Sequence, residues 1–332
     1  MKRFLLISSL FILSINTFFA AELDSLQKFS PKIEGTIRAK YEYNTSLSAS
    51  RFQVRNARFS VNGNFSPLVF YKAEIDLSDE GVTKMLDAYI RMKPAKWFTF
   101  TIGQQKIPFS TDNLRAPHLL YFANRSFIGK QLTGLRDVGA TFLFSNKKVV
   151  PFDFSAGVYN GDGLYNQQNW EKDNMSYAFR WEVFPIKNLE ISLNYNSIKP
   201  QNIRMNLFDA GVYVNFADFH LESEFFYKTY QNSVFQPTKG FFVFGAYDIW
   251  TNKKYLQKIT PLARFDTMTD NNKGAVDKNG NYVVNDIARS RFTGGVTFSL
   301  NKPFLNDIRL NYEKYFKFEN EDKLIVEFVV RF

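Results

Sequence analysis

Chemistry needs side chains that can move a proton, attack a carbonyl or hold a metal, and this chain of 332 residues is poor in them. It has no cysteine, which excludes disulfides, thiolate metal sites and cysteine nucleophiles. Two histidines, His118 and His220, are too few for an imidazole-rich metal centre. His220 lies in Asp218-Phe219-His220-Leu221-Glu222-Ser223-Glu224, an alternating stretch in which Glu222 and Glu224 share its face and Ser223 points the other way. No serine–histidine pair arises there, so His220 reads as a polar wall residue. The stretch Asp270 to Asn281 spaces oxygen donors in the manner of a calcium loop. It lacks the glutamate at the twelfth position and carries Lys273 and Lys278, so it reads as a solvated external loop. Gly294-Gly295 falls inside a strand with no helix after it, which removes a phosphate-cradling nucleotide loop. The expectation is no enzyme, no cofactor and no metal.

The abundant chemistry is charge: 42 Lys and Arg stand against 32 Asp and Glu, a net charge of +10. No cationic cluster is interleaved with aromatics as nucleic-acid binding would require. The elements that position these charges have a period of two. From Lys32 to Tyr43, Ile33, Ile37, Ala39, Tyr41 and Tyr43 take one face, while Glu34, Thr36, Arg38, Lys40 and Glu42 take the other. One face suits lipid and the other water. The same holds at the end of the chain, where Leu324, Phe328, Val330 and Phe332 oppose Lys323, Glu327 and Arg331. A terminal strand ending in Phe332 looks like the signal through which barrel-assembly machinery recognises outer-membrane barrels.

Residues 1–21 have the layout of a signal peptide: Lys2 and Arg3, then an apolar stretch from Phe4 to Phe19, then Ala20 and Ala21. After residue 22 no run of 18 apolar residues occurs, which excludes a helical membrane bundle. Residues 22–332 read as one domain of sixteen alternating segments, the first near 32–43 and the last near 323–332. Short turns, such as Phe65-Ser66-Pro67 and Lys93 to Lys96, alternate with longer polar links, such as Ile107 to Leu135 and Met268 to Ala288. About 310 residues over sixteen strands leave roughly 19 for each strand and its connection, against ~10 for a tilted span. The fold expected is all-β, a transmembrane antiparallel β-barrel. The 37 Phe, 17 Tyr and 4 Trp then have a lipid-facing surface to occupy. Alternation blurs near Arg55 and from Phe241 to Tyr247.

Several blocks resemble the phosphate-selective porin O and P family of bacterial outer-membrane channels. They are Phe52 to Phe59 with Arg55 and Arg58, Tyr71 to Asp76, Gly103 to Ser110 with Lys106 and Pro108, Arg136 to Gly139, Tyr159 to Gly163, Arg180 before Pro185, Arg264 to Asp266, and Gly294 to Phe298. Their collinearity covers nearly the whole chain past the leader. The resemblance implies sixteen strands, a homotrimer in the outer membrane of a Gram-negative bacterium, and a long third loop folded into the lumen.

That loop would be Ile107 to Leu135, with Arg115, Arg125 and Lys130 against the one acid Asp112, and Arg136 at its exit. Cations at a constriction lower the barrier for anions. The lumen wall carries Arg38, Arg58, Arg91, Arg180, Arg264 and Arg309, but also many carboxylates, so it is mixed rather than a ladder of arginines. The reading is a passive diffusion channel for small hydrophilic solutes, leaning toward anions such as phosphate, in contact with outer-membrane lipid and with no nucleic-acid partner. The alternatives are a non-conducting barrel for surface binding or adhesion and, less favoured, a barrel enzyme.

Overall fold

The computed structural model describes residues 30–132, 136–165, 167–168, 170, 174–199, 203–272, 286–301, 306–316 and 321–332. The expected signal peptide and most of the Asp270 to Asn281 loop lie outside these residues. Among the described residues sixteen antiparallel strands form a single closed sheet. They are β1 (Lys32–Asn44), β2 (Ala49–Ser66), β3 (Val69–Asp79), β4 (Val82–Ala95), β5 (Phe98–Lys106), β6 (Arg136–Asn146), β7 (Phe152–Tyr159) and β8 (Ser176–Ile186). The second half comprises β9 (Leu189–Ile198), β10 (Met205–Phe216), β11 (Phe219–Tyr230), β12 (Thr238–Tyr247, continued beyond Asp248 as Ile249–Trp250), β13 (Leu256–Met268), β14 (Arg289–Leu300), β15 (Asn306–Tyr315) and β16 (Lys323–Arg331). Both pieces of β12 pair with β13, so they count as one span.

Closure comes from β16 pairing with β1, with Thr36 opposite Arg331 and Asn44 opposite Lys323. The ring leaves no sheet edge, which is what permits strands to cross lipid. Gly35 and Phe332 exchange backbone hydrogen bonds of 2.8 and 3.1 Å at the seam. A Cβ at Gly35 would sit 2.2 Å from the Phe332 ring, so glycine is needed to let that aromatic lie flat over β1. The start of β1 and the end of β16 therefore fall on the short-turn side, the periplasmic side of an outer-membrane barrel.

The two faces of the strands separate as the alternation requires. Outward residues are apolar and exposed, with Phe65, Trp97, Phe216 and Phe332 toward the short turns and Phe52, Tyr177 and Phe316 toward the long loops. Such aromatic girdles sit at the two lipid–water interfaces. Inward residues are charged and buried, among them Arg38, Asp76, Arg180, Glu224, Asp266, Arg309 and Glu327.

Two departures from plain alternation have physical causes. Between Arg38 and Ala39 the β1–β2 register shifts, because Arg55 is an extra residue in β2 that bulges between Val54 and Asn56. A bulge of this kind re-aims side chains, and it lets Arg55 and Asn56 both serve the lumen. In β12 both faces are apolar: Phe241 and Val243 meet lipid, while Phe242 and Phe244 are buried inside the barrel. Their partner there is the long segment between β5 and β6.

Leu193 lies at the middle of β9 on the outward face, half exposed in the isolated chain. Leu193→Arg places a charge at the bilayer midplane and is expected to destabilise the barrel by about 2–4 kcal/mol. Urea unfolding in lipid vesicles measures it; a change below about 0.5 kcal/mol would refute the assigned facing.

Candidate functional site

Residues 107–132 run into the barrel rather than away from it, as their contacts with inward side chains from opposite arcs of the ring require. The segment begins with Ser110 capping a one-turn helix α1 (Thr111–Leu114) through a hydrogen bond from the Asn113 N–H to its Oγ. Glu224 of β11 accepts from Ser110 Oγ at 2.7 Å, the Thr111 N–H at 2.7 Å and the Asp112 N–H at 3.1 Å. A carboxylate at the start of a helical turn satisfies donors that have no partner within the turn. Asp112 folds the segment on itself by accepting from the Ser126 N–H at 3.0 Å and its Oγ at 2.7 Å. Burial pushes the Asp112 carboxyl up, but Arg125, Arg115 and Arg264 together hold it below the usual carboxylate range.

Wall arginines then clamp the backbone of the segment. Arg309 donates to the His118 carbonyl at 3.1 Å, Arg38 to that of Ala123 at 2.6 Å, Arg264 to that of Asn124 at 3.0 Å, and Arg291 to that of Arg125 at 2.9 Å. Asn311 accepts from the Ala123 N–H at 2.8 Å and Asp266 from the Phe127 N–H at 3.1 Å. Between the clamps lies an apolar core inside the lumen, in which Phe109, Phe122, Phe127, Ile128 and Leu132 pack against Phe226, Phe242, Phe244, Met268 and Tyr315. Each such side chain contributes about 1.5–3 kcal/mol relative to exposure. The segment is thereby fixed chiefly to the arc that runs from β11 through β15 to Arg38 of β1, while Arg180 of β8 and Lys106 of β5 hold its first turn from the other side.

Open space remains along β1 to β7. On the long-loop side a cavity of about 190 Å³ is lined by nine Arg or Lys residues and three Glu. Arg38, Lys40, Arg55, Arg125, Lys130 and Arg291 are among the cations; the acids are Glu42, Glu80 and Glu321. A second cavity of about 200 Å³ holds Arg58, Lys72, Lys106, His118, Arg136 and Arg331 with Glu34, Glu74 and Asp87. A third, of about 540 Å³, lies on the short-turn side and shares Asp87 and Lys106 with the second.

The four loop cations do not act alike. Arg125 and Lys130 line the first cavity and Arg136 the second. Arg115 lines none of the three: it pairs with Glu222 of β11 and lies over the Tyr121 ring, so it binds loop to wall. Burial draws the Arg125 guanidinium down to about 10, with Asp112 opposing and Arg38 and Arg58 assisting; it stays charged at neutral pH. Lys130 is lowered by burial and by Arg55, is about half exposed, and stands 3.5 Å from Glu80. Arg136 bonds Asp87 at 2.6 Å.

All six wall arginines face the lumen, in two roles. Arg38, Arg264 and Arg309 hold the segment's carbonyls, and Arg180 bonds the Thr111 hydroxyl at 2.7 Å. Arg58, held by Asp76 at 2.9 Å, lines the second cavity, and Arg91 lines the third. Sequence reasoning missed Arg55 and Lys106 as lining residues. The bulge carries Arg55 there, and Lys106 sits at the end of β5 with its Nζ donating to the carbonyls of Asn113, Leu114 and Arg115. The blurred alternation at Arg55 was the one signal available. His220 stacks on Tyr121 and bonds Glu222. Among the described residues no group of His, Asp or Glu is placed to hold a metal.

With this geometry in view, known proteins give a consistent comparison. A family model described as phosphate-selective porin O and P matches residues 33–217, more than half of the chain. The chain belongs to the phosphate-selective porin O and P family. It is an outer-membrane channel of a Gram-negative bacterium. No curated protein matches the sequence. Among solved structures, a Salmonella typhi OmpF complex with daunomycin is similar at 12% identity over 92% of this chain and 98% of that one, with a TM-score of 0.66. An anion-selective porin from Comamonas acidovorans is similar at 9% identity over 91% and 99%, with a TM-score of 0.65. The outer membrane channel DcaP of Acinetobacter baumannii gives 13% identity over 91% and 97%, with a TM-score of 0.61. These likenesses concern the fold.

Glu224→Ala removes the acceptor of four donors, Ser110 Oγ, the Thr111 and Asp112 N–H groups and the Tyr213 hydroxyl, and is expected to loosen the start of the inserted segment, at a cost above about 2 kcal/mol. Single-channel recordings would then show larger, noisier conductance than the parent; an unchanged, quiet channel would overturn the anchoring role. The His118 ring accepts from Arg331 at 2.8 Å and is pushed down to about 4 by burial and by Arg331 and Arg309. A folded value below the ordinary 6.5 favours the neutral ring. Its stabilising contribution is therefore complete above pH 6.5 and lost as pH falls toward 4. In a His220→Gln background, NMR titration of the remaining ring should give a midpoint near 4, and a midpoint near 6.5 would contradict the Arg331 contact.

Proposed function

We propose that the channel is a passive diffusion pore favouring small anions, with selection in the passage between the inserted segment and the arc from β1 to β4. The observation that carries this is the first cavity, where nine cations face three carboxylates. The carboxylates that neutralise several of these cations stand behind them. Glu327, Asp266 and Glu313 are fully buried, pair with Arg38 and Arg291, and do not line the cavity.

Depth decides the sign of the field. An anion about 6 Å from a guanidinium and about 9 Å from the carboxylate behind it gains roughly 2.8 and loses roughly 1.8 kcal/mol at an effective dielectric of 20. The remaining ~1 kcal/mol is about fivefold in occupancy for each such pair. A mixed wall with this layering is thus compatible with anion preference. The family's description and the anion selectivity of the Comamonas porin point the same way, and phosphate is a natural candidate solute.

Reversal potential under a potassium chloride gradient in planar bilayers tests the reading. Chloride preference is expected, and Arg125→Ala with Lys130→Ala should lower the chloride-to-potassium permeability ratio at least about threefold. Cation preference in the parent would remove the anion assignment, whereas folded protein without conductance would favour a plugged barrel that binds at the surface.

A further inference from the structure

The third cavity is larger than the other two and different in chemistry. Its wall is built from the short-turn halves of β4 to β7, with Tyr89, Thr99, Thr101, Thr141 and Ser155 pointing inward, and Pro108 and Leu114 of the inserted segment form its roof. Cations stand at its margin: Arg91, Lys93 and Lys106. Its single carboxylate, Asp87, is occupied by Arg136 at 2.6 Å and Lys72 at 3.2 Å. Thr141 is spent on Gln105 and Tyr159. The other hydroxyls are available. Ser155 is buried and, like Thr99, has no protein partner for its hydroxyl among the described residues. Thr101 accepts from Arg91 Nε at 3.2 Å and keeps its own hydrogen to donate. The Arg91 guanidinium carbon lies 5.0 Å from the Tyr89 ring centroid and 5.7 Å from that of Phe70, which makes a flat, positively charged platform.

A simple inorganic anion can accept from one or two of these hydroxyls, but it brings no carbon skeleton or row of hydroxyls to match the rest of the wall. Hydroxyls without a protein partner hold water, and they exchange it at little cost for a solute that brings hydroxyls of its own. A solute that brings only hydrocarbon strips that water and leaves the hydroxyls unpaired. A wall of this kind discriminates by the hydrogen bonds it would lose.

We propose that this cavity is a second solute site, suited to small polyhydroxylated carboxylates of the sugar-acid type. The carboxylate lies at Arg91 and Lys93, the solute hydroxyls along Thr99, Thr101 and Ser155, and the carbon skeleton against Tyr89 and Leu114. The inference rests on the anion-pore reading and adds a solute class to it.

Three probes separate the contributions: gluconate carries charge and hydroxyls, hexanoate charge alone, and sorbitol hydroxyls alone. Each is added from the short-turn side to single channels in potassium chloride, and its block is normalised to the same channel's own current. Gluconate is expected to interrupt the current in a saturable way at concentrations at least about fivefold lower than the other two, the factor expected from one neutral hydrogen bond. Thr99→Val with Ser155→Ala should erase that advantage. If the double variant does not fold, Ser155→Ala alone, which removes only an oxygen, repeats the test. Equal block by gluconate and hexanoate, or an advantage that survives the substitutions, would overturn the site. Failure of the anion pore itself would show separately, as cation preference in potassium chloride without any probe.

Discussion

A chain segment placed inside a barrel must find partners for its backbone, because an unpaired buried carbonyl or N–H costs as much as a lost hydrogen bond. The structure meets this demand with guanidinium groups. Arg38, Arg264, Arg291 and Arg309 reach from β1, β13, β14 and β15 to carbonyls of the inserted segment, while Glu224 and Asp266 take N–H groups. Each clamp would be prohibitive as a lone buried charge. Hence Glu327 stands behind Arg38 and Arg309, and Asp266 and Glu313 stand behind Arg291. The mixed wall is therefore architectural before it is selective: arginine supplies donors for the segment, and carboxylate supplies the counter-charge for arginine.

The same clamps decide where solute can pass. They fasten the segment to one arc of the ring, and the aromatic core between Phe122, Phe127, Phe226 and Phe244 seals that arc. The open space lies along β1 to β6, where Lys40, Arg55, Arg58 and Arg136 of the wall and Lys130 of the segment meet the cavities. Arg55, Arg58 and Arg136 face the cavities without holding the segment, whereas Arg38, Lys40, Lys106, Arg125 and Arg291 do both.

Much of this was legible in the sequence, and the limits of legibility are physical. The strands were readable because lipid and water impose opposite chemistry on alternate residues, a constraint that acts within a few positions along the chain. Alternation failed where a third environment intervened. In β12 the lumen face meets the apolar segment instead of water, so Phe242 and Phe244 read the same as their lipid-facing neighbours Phe241 and Val243. At Arg55 a bulge shifted the phase. The site was less legible because pairing joins residues far apart. Nothing near Arg115 announces Glu222 as its partner, 107 positions away, and so a cation expected at the constriction serves as a fastener. Arg264 and Arg309 were recognisable as lumen residues, but their bonds to the segment's carbonyls depend on a fold-back that the strand pattern does not encode.

A segment held by four guanidinium clamps, a carboxylate-capped turn and an aromatic core is poorly suited to move as a gate. Displacing it would expose the aromatic core and orphan buried charges together, and local motions are drawn from regions with few such contacts. Selection in this channel must then come from a static path. A static path can distinguish solutes only by width, by field and by the hydrogen-bonding character of the successive walls. Here the walls change from cationic on the long-loop side, through the mixed group around Arg58, Arg136 and Lys106, to hydroxyl-rich on the short-turn side. On the proposed reading, field acts first on an entering anion and wall chemistry acts after it. Two anions of equal charge would be separated in the second half of the path.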